Sequence, residues 1–570
     1  MTDVFSLRPL AAVLAAAVGI VTIVASKRSP NVREGFTVLS AVSALGIVAS
    51  MVPGVLNGTT YVTDLGTFVP GVRFVLRADP LGMIFALLAS LLWLITSFYS
   101  IGYMRGLDEH AQTRYFAAFA GSVSAALGVA FASNLIVLYV FYELLTVATY
   151  PLVTHDETEE ARKAGRKYLA YTFGGGVAAL AGTALVFLTT GTVEFSAGGI
   201  AALANADPVV ARAAFALLVA GFGVKAALMP VHSWLPDAMV APTPVSGLLH
   251  AVAVVKSGVF GIARVILDVY GPDAVGSLGV GLPLAAVAAF TIVVASIIAL
   301  RQDNLKRRLA YSTVSQLSYI VLGLALLSPA ALVGGLLHIP AHAFMKLTLF
   351  FCAGVIHVET HTDDISDMAG IGRRMPLTMI AFTVASLGMA GLPLVAGFVS
   401  KWYLLIGSIE TGQTVFVFVL LASGLLNIGY FWPVIYQAFF QTPEDSDAKP
   451  LIEFPIGGVR AVTDGGSKDS VAEGEQYAVD RNPSDHVAVA DGESDHDAAT
   501  DGEPDHDHHH GGAPAGGWER RRLGTESTWF MMAPITIAAA GAIVLGVVPQ
   551  TAVFLALVQR VVADVTGVVF

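Results

Sequence analysis

Four lysines lie inside long apolar stretches of this 570-residue chain, where an ammonium group is costly to bury. They are Lys225, Lys256, Lys346 and Lys401. The choice of lysine is selective, because the chain has ten lysines against twenty-two arginines. Arginine keeps its charge, whereas a buried lysine can release its proton because desolvation disfavours the charged form. The four lysines are therefore candidates for proton transfer. Extension of the ammonium to a membrane interface is the alternative, and it fits Lys401, beside a helix break, better than the other three.

Two histidines share a helical stripe with one of these lysines. His338, His342 and Lys346 occur at i, i+4 and i+8, so on a helix each step drifts by only about 40° and the three span roughly 12 Å. Such a stripe is a ladder of titratable groups along which protons can hop through intervening water. Metal ligation by the two histidines is the alternative, but no third ligand lies nearby in the sequence. No metal site is expected here.

A further histidine and lysine share the apolar stretch before the ladder. His250 and Lys256 are six residues apart, which separates them by about 240° on a regular helix. They are therefore predicted to face different sides. The spacing leaves open whether His250 faces the preceding apolar stretch while Lys256 faces the ladder.

One carboxylate also lies inside an apolar stretch. Glu143 is within residues 135–153. A lone buried carboxylic acid stays neutral, whereas a nearby ammonium group ionises it. Lys225 is the candidate partner for this pair. A purely structural ion pair is the alternative.

These residues are positioned by apolar segments long enough to cross a bilayer. The chain is 55% hydrophobic and only 13% charged, which indicates an all-α polytopic membrane protein. About fourteen transmembrane helices are predicted, near 10–26, 35–53, 79–100, 115–133, 135–153, 168–189, 209–229, 244–266, 281–300, 310–327, 331–357, 376–410, 414–437 and 529–548. Basic residues concentrate in the odd-numbered loops, including residues 162–167, 301–308 and 373–374. The charge rule then predicts cytoplasmic odd loops and both termini outside, in the cell membrane.

Two predicted spans are interrupted by proline. Pro230 ends the seventh, and Gly391-Leu392-Pro393 lies inside the twelfth. Broken helices five spans apart indicate two inverted five-helix repeats, with ordinary proline kinks as the alternative. The predicted organisation has five parts, which are residues 1–114 (helices 1–3), 115–266 (first repeat), 267–440 (second repeat), 441–527 (an insert) and 528–570 (helix 14 and tail).

The insert is predicted to be acidic, disordered and cytoplasmic. Residues 441–517 carry a net charge of −14, while the rest of the chain is mildly basic. Loose metal binding by the run 505–510, which contains four histidines, is an alternative to a solvated acidic tract. The single cysteine, Cys352, excludes a disulfide framework and an iron–sulfur cluster bound by this chain alone. No dinucleotide fingerprint or nucleic-acid motif is present, so no cofactor and no nucleic-acid partner are expected.

Several stretches resemble a known family of membrane subunits. They are FYELLTVATYPLV (141–153), KAALMPVHSWLPDAMVAPTPVSGLLHAVAVVKSG (225–258), LKRRLAYSTVSQLSY (305–319) and HIPAHAFMKLTLFFCAGVI (338–356), followed by DDISDMAGIGRRMP and GLPLVAGFVSKWYLL. The chain resembles the antiporter-like subunits shared by Mrp-type Na⁺/H⁺ antiporters, complex I and membrane-bound hydrogenases, most nearly the Mrp D-type subunit. The likeness runs from about residue 75 to residue 437.

The resemblance implies roles for the residues above. Glu143 and Lys225 resemble the entry ion pair of this family, and Lys401 resembles the exit lysine of the twelfth helix. Lys256 and the His338/His342/Lys346 stripe resemble its central hydrophilic axis. Some family members carry glutamate at the exit position. The lysine at this position therefore limits the family subtypes that the chain resembles.

Three functions are compatible with these observations. The first is an ion-translocating subunit of an Mrp-type cation/proton antiporter, acting on H⁺ and/or Na⁺ with other membrane subunits as partners. The second is a proton-pumping subunit of a complex I-like oxidoreductase or membrane-bound hydrogenase, with electron chemistry on other chains. The third is a passive scaffold, which the buried charges disfavour.

Overall fold

A computed structural model describes residues 2–442, 511–514, 516–550 and 553–568. Residues 443–510 lie outside the described residues, and so does the prediction that this acidic segment is disordered. The described body is mostly helical.

The N-terminal part combines helices with a small sheet. Its elements are β1 (Thr2–Phe5), α1 (Arg8–Ala25), α2 (Pro30–Ala49), α3 (Val52–Leu56), β2 (Thr59–Val69) and β3 (Val72–Ala78). β1 pairs in parallel with β2, with Thr2 opposite Thr59, and β2 pairs antiparallel with β3, with Tyr61 opposite Ala78. The prediction of an all-α chain therefore holds for the membrane body but missed this sheet. Its strands are rich in β-branched and aromatic residues, which favour extended backbone.

Four of the next five helices begin at residues whose side chains cap them. They are α4 (Pro80–Gly106), α5 (Gln112–Phe131), α6 (Leu135–Val153), α7 (Glu159–Thr190) and α8 (Pro208–Lys225). Asp79 caps α4 and Asn134 caps α6, each accepting a hydrogen bond from a backbone N–H of the first turn. Thr158 caps α7 in the same way, and two glutamates follow in its first turn. The helix therefore starts earlier than the predicted residue 168, and the basic residues 162–167 lie on its first turns.

The predicted eighth span is divided rather than regular. After α8, the chain forms α9 (Trp234–Asp237), α10 (Thr243–Gly247), a π-helix (Leu248–Val252), α11 (Val254–Arg264), a second π-helix (Val265–Tyr270) and α12 (Gly271–Ser277). Ala253 interrupts the helical backbone between the first π-helix and α11, with φ −128° and ψ −64°. This interruption changes which side chains share a face.

The second half surrounds one long buried helix. Its helices are α13 (Gly281–Leu300), α14 (Leu305–Ala325), α15 (Pro329–Thr360), α16 (Pro376–Ala390), α17 (Ala396–Glu410) and α18 (Thr414–Phe440). All residues of α15 from Ala330 to Ile356 are buried. α15 packs against α10, α14, α16 and α17, so it is the element around which the body is assembled.

Eleven of the described helices are long and apolar enough to cross a membrane by length and composition. This confirms a polytopic membrane protein. The other three predicted spans are the divided eighth, the more polar tenth (α14), and the twelfth, which is interrupted between α16 and α17. The count of fourteen and the inverted repeats stay predictions.

The loops contact one another in two separate sets. Residues in or beside odd-numbered loops bond through Arg105–Glu34 and Arg114–His155, and those of even-numbered loops through Asn134–Arg73 and Ser196–Asp268. A chain that crosses a bilayer repeatedly must place its odd loops together on one side and its even loops together on the other, and these contacts fit that requirement.

The described end of the predicted insert is held against the body. The Gly512 N–H donates to Thr362 Oγ1 at 3.1 Å, and Trp518 Nε1 donates to the Ala369 carbonyl at 2.9 Å. The insert prediction treated residues up to 527 as disordered, and the structure differs here because Trp518 and a buried Glu526 supply specific contacts. α19 (Trp529–Val547) and α20 (Val553–Thr566) follow and pack on α4 and α15.

The Glu526 side chain caps a helix distant in sequence. It is fully buried and accepts hydrogen bonds from the Leu377 N–H, from the Thr378 N–H at 2.9 Å and from Thr378 Oγ1 at 2.6 Å. These amides belong to the first turn of α16, whose N–H groups have no partner inside the helix. A carboxylate also suits the positive end of the helix dipole.

We expect Glu526→Ala to lower the free energy of unfolding by about 2 kcal/mol, because charge-assisted hydrogen bonds to buried amides are lost. The measurement is the thermal unfolding midpoint of the purified chain in detergent. The exposed Glu519 provides the matched control, Glu519→Ala, which should leave the midpoint unchanged. Equal midpoints for the two variants would show that the cap contributes nothing.

Candidate functional site

The eight residues singled out by the sequence lie in the helical body, six of them on or beside α15 and two, Glu143 and Lys225, beyond α11, and we call this set the buried axis. Six of them are fully buried, Lys401 is 8% exposed, and Glu143 is half-buried with both carboxylate oxygens buried. The set comprises Glu143, Lys225, His250, Lys256, His338, His342, Lys346 and Lys401.

The centre of the axis is a direct contact between two titratable side chains. Lys256 Nζ, from α11, lies 2.6 Å from His342 Nδ1 on α15. When the lysine is charged, its ammonium donates to the unprotonated imidazole nitrogen. His342 Nε2 has no hydrogen-bond partner among the described residues. The contact places two bases within proton-sharing distance in an apolar surrounding.

His250 faces the same helix as Lys256, contrary to the spacing prediction. Its ring lies 4.7 Å from the Phe350 ring, on α15, and neither ring nitrogen has a hydrogen-bond partner within the described part of the chain. The 240° separation assumed a regular α-helix. The π-helix and the interruption at Ala253 rotate the two residues onto one side, which no regular period could have predicted.

His338 is held by hydrogen bonds on both ring nitrogens. Nδ1 lies 2.8 Å from Ser400 Oγ on α17, and Nε2 lies 2.9 Å from Gln316 Oε1 on α14. Gln316 in turn donates to Asn427 Oδ1 on α18 at 3.0 Å. The His338 and His342 ring centroids are 6.2 Å apart. The predicted stripe thus exists, and one neighbour on each side fixes its first histidine.

Lys346 completes the stripe against α14. Its ammonium donates to the Leu309 carbonyl at 3.2 Å and to Ser312 Oγ. It also lies 5.9 Å from the centre of the Phe431 ring. The ammonium is therefore solvated by oxygen atoms of the protein, with no carboxylate bonded to it among the described residues.

Lys401 lies on the second half of the interrupted twelfth span. Its ammonium donates to the Met389 carbonyl at 2.5 Å and lies 4.8 Å from the centre of the Tyr319 ring. Met389 is in the last turn of α16, whose carbonyl groups have no partner inside the helix. The break thus creates the acceptor that the lysine uses.

Lys225 is the last residue of α8, at the other break. Its ammonium donates to the Tyr142 carbonyl and lies 3.4 Å from the centre of the Tyr142 ring. Groups freed by the break also find partners, because Trp234 Nε1 donates to the Val224 carbonyl at 2.8 Å. Such compensation is what allows a broken helix at membrane depth.

Glu143 is beside Lys225 but is not bonded to it. Neither Glu143 oxygen has a hydrogen-bond partner among the described residues, and Lys225 bonds instead to the carbonyl of the preceding residue, Tyr142. The carboxylate lies against Gly176 on α7, where a β-carbon would be only 1.9 Å from Glu143 Oε1. The structure brings the two residues together without forming the predicted ion pair.

A glycine lets α11 approach the broken end of α8. A β-carbon at Gly258 would lie 2.3 Å from the Ala226 nitrogen and 2.7 Å from the Lys225 carbonyl carbon. Gly258 is two residues beyond Lys256. Because Gly258 has no side chain, the Lys225 end of the axis packs close to the helix that carries Lys256.

The sequence missed the polar partners and one ionic cluster. The polar run around Ser312 and Gln316 was visible in the sequence and could have indicated neighbours for the stripe. Arg264 is also buried in the eighth span and bonds to two carboxylates, Asp79 Oδ2 and Asp268 Oδ2, both at 2.7 Å. An arginine inside an apolar stretch was the sequence signal that could have revealed this cluster. These groups lie away from the ladder, at the even-loop side.

The axis suits proton transfer better than metal binding. Both nitrogens of His338 and one of His342 are already bonded, so the stripe offers one free nitrogen and no carboxylate close to it among the described residues. A zinc-type site needs three or four such ligands. The side chains can instead exchange protons with one another or with water between them.

Comparison with known proteins identifies the family. Residues 132–426 match the family model described as "NADH:quinone oxidoreductase/Mrp antiporter, TM". The chain is 35% identical over 434 residues to NADH-quinone oxidoreductase subunit N of Desulforudis audaxviator. The aligned segment covers 75% of this chain and 85% of that protein. It is also 35% identical to a Na(+)/H(+) antiporter subunit of Alkalihalophilus pseudofirmus, over 64% of this chain but only 45% of that protein.

A solved structure shares the fold. A chain of the Mrp complex from Dietzia sp. DQ12-45-1b superposes with a TM-score of 0.75 at 23% identity, covering 98% of both chains. The relatives compared are thus subunits of multisubunit membrane complexes. All eight residues of the buried axis lie within the matched segment, and the chain belongs to the transmembrane subunit family shared by NADH:quinone oxidoreductases and Mrp antiporters.

Proposed function

We propose that this chain is an ion-translocating subunit of an Mrp-type cation/proton antiporter, and that protons move along the buried axis. The observation that carries the proposal is the 2.6 Å contact between Lys256 Nζ and His342 Nδ1. Proton transfer across this bond converts a charged lysine and a neutral histidine into a neutral lysine and a charged histidine. The single positive charge stays inside the buried core in both states. We therefore assign this bond as a proton-transfer step rather than a fixed structural contact.

The remaining residues extend the path from this step. Glu143 is the uptake group, because its two buried oxygens have no bonded partner among the described residues. Lys225 then takes the charge, followed by Lys256, the histidine stripe and Lys346. Lys401 is the release group at the second break. Water bridges the intervals that side chains do not.

Electrostatic repulsion couples the protonation of neighbouring lysines along this path. Four lysines and one glutamate at membrane depth are too costly to hold fully charged together. A proton that arrives at one lysine therefore favours loss of a proton from its neighbour. We assign transport of Na⁺ against that proton flow to partner subunits; one relative is named as a Na(+)/H(+) antiporter subunit.

The proposed setting is the cell membrane, with other membrane subunits as partners. The basic odd-numbered loops support cytoplasmic odd loops, an insert on that side and both termini outside. The two breaks support a pair of inverted repeats, because each break lies beside a buried lysine that bonds to a carbonyl oxygen.

A second candidate is a proton-pumping subunit of a complex I-like oxidoreductase. The observation in its favour is the long match to an oxidoreductase subunit N, of which the chain covers 85%. Inverted membrane vesicles separate the two candidates. A transmembrane pH gradient that collapses on addition of Na⁺ or K⁺, without any electron donor, supports the antiporter. Proton movement that requires an electron donor such as NADH supports the alternative.

We expect Glu143→Gln to reduce ion-driven proton movement by at least about tenfold, because the amide cannot take up a proton. The shape of the side chain is preserved and no bonded partner is lost, so expression and thermal stability should not change. Glu410 is exposed at the end of α17, and Glu410→Gln is the matched control with full transport expected. Full activity of Glu143→Gln would remove Glu143 from the path.

We expect Lys346→Arg to lose transport almost as completely as Lys346→Ala. Arginine keeps the positive charge and can donate to Leu309 and Ser312, but it does not release its proton at accessible pH. The measurement is dissipation of a pH gradient in inverted vesicles at equal expression. Lys163, exposed on α7, gives the control Lys163→Arg. An active Lys346→Arg would mean that Lys346 only balances charge.

A further inference from the structure

A second cluster of titratable side chains lies far from the buried axis. Glu109 and His110 are in the turn between the end of α4 and the start of α5, and His155 follows the last residue of α6 by two positions. One ligand atom from each residue lies within 4.8 Å of the others. Three helix ends thus place two imidazoles and a carboxylate around one point on the odd-loop face.

His155 is the residue of this cluster that indicates a missing partner. It is fully buried, yet neither of its ring nitrogens has a hydrogen-bond partner among the described residues. Buried polar atoms are normally bonded, and an exception calls for a function or a missing partner. The backbone is held in place, because Arg114 Nη2 donates to the His155 carbonyl at 3.0 Å. The ring is therefore fixed by contacts that leave its nitrogens unused.

The unused nitrogen points at the other two groups. His155 Nε2 lies 3.6 Å from Glu109 Oε2, and His110 Nδ1 lies 3.8 Å from the same oxygen. The two imidazole rings have centroids 4.8 Å apart. Ligands on a tetrahedral zinc ion, with bonds of about 2.0 to 2.2 Å, are roughly 3.3 to 3.6 Å from each other. The two distances to Glu109 are thus within a few tenths of an ångström of a coordinating arrangement, and every pair of ligand atoms lies within 4.8 Å.

We propose that Glu109, His110 and His155 bind a divalent cation of the zinc class, with water as a fourth ligand. Two imidazoles and one carboxylate form a ligand set that zinc favours, whereas Mg²⁺ and Ca²⁺ prefer oxygen ligands alone. An ion can enter from solvent, because the His110 side chain is 51% exposed and that of Glu109 is 18% exposed. Bound metal would join the ends of α4, α5 and α6. The proposal does not depend on the function proposed for the buried axis.

The acidic segment must be separated from this site in any test. It contains six histidines, which offer an independent set of metal ligands: His486, His496, His506, His508, His509 and His510. The reference protein is therefore the full chain with these six replaced by alanine, purified without a histidine tag. Binding of Zn²⁺ alone is measured by calorimetry, and thermal unfolding is followed with and without Zn²⁺.

One Zn²⁺ per chain should bind the reference protein and raise its unfolding midpoint. His155→Gln and Glu109→Gln should each weaken binding by at least about tenfold, since loss of even an outer-shell partner costs that much. If His155→Gln fails to fold, the exposed His110→Ala gives the same test. His357, which bonds to Asp363 elsewhere in the body, supplies the control His357→Gln with unchanged binding. No binding by the reference protein, or equal binding by all variants, would overturn the proposal.

Discussion

Ammonium groups inside a membrane protein need oxygen or nitrogen acceptors, and this need explains much of the architecture. Lys225, Lys346 and Lys401 each donate to a main-chain carbonyl, and Lys256 donates to an imidazole. Main-chain carbonyls are uncharged, so these contacts solvate the lysines without locking them into ion pairs. This matters for the proposed proton path, because a strong carboxylate pair would hold a lysine in its charged form.

Helix breaks and glycines provide the acceptors and the room. The interruption of the twelfth span exposes the Met389 carbonyl to Lys401, and the end of α8 sets Lys225 beside the Tyr142 carbonyl. Gly258 allows α11 to pass close to that end, and Gly176 leaves space for the Glu143 carboxylate. A larger residue at either glycine would separate neighbouring members of the axis. In the proposed function, the breaks supply acceptors for the lysines, and the buried helix α15 supports the central residues of the axis.

The sequence predicted the chemical groups better than it predicted their contacts. Buried lysines, the His338/His342/Lys346 stripe and the two breaks were all readable, because charge in an apolar run and helical spacing are local signals. The orientation of His250 was not readable, since a π-helix and one non-helical residue redirect it. The pairing of β1 with β2 and the Glu526 cap were missed for a related reason. Each depends on residues far apart in the chain, which a pattern of neighbours does not reveal.

Whether the buried axis is a single proton path is tested most directly by a double-mutant cycle on Lys256 and His342. Lys256→Gln, His342→Gln and the double variant are reconstituted in liposomes at equal protein content, and ion-driven proton flux is measured in each. If both residues serve one step on one path, each single variant loses transport and the double variant is no worse than the more impaired single variant. Losses that multiply in the double variant would show that the two residues act independently, and would contradict proton transfer across their shared hydrogen bond.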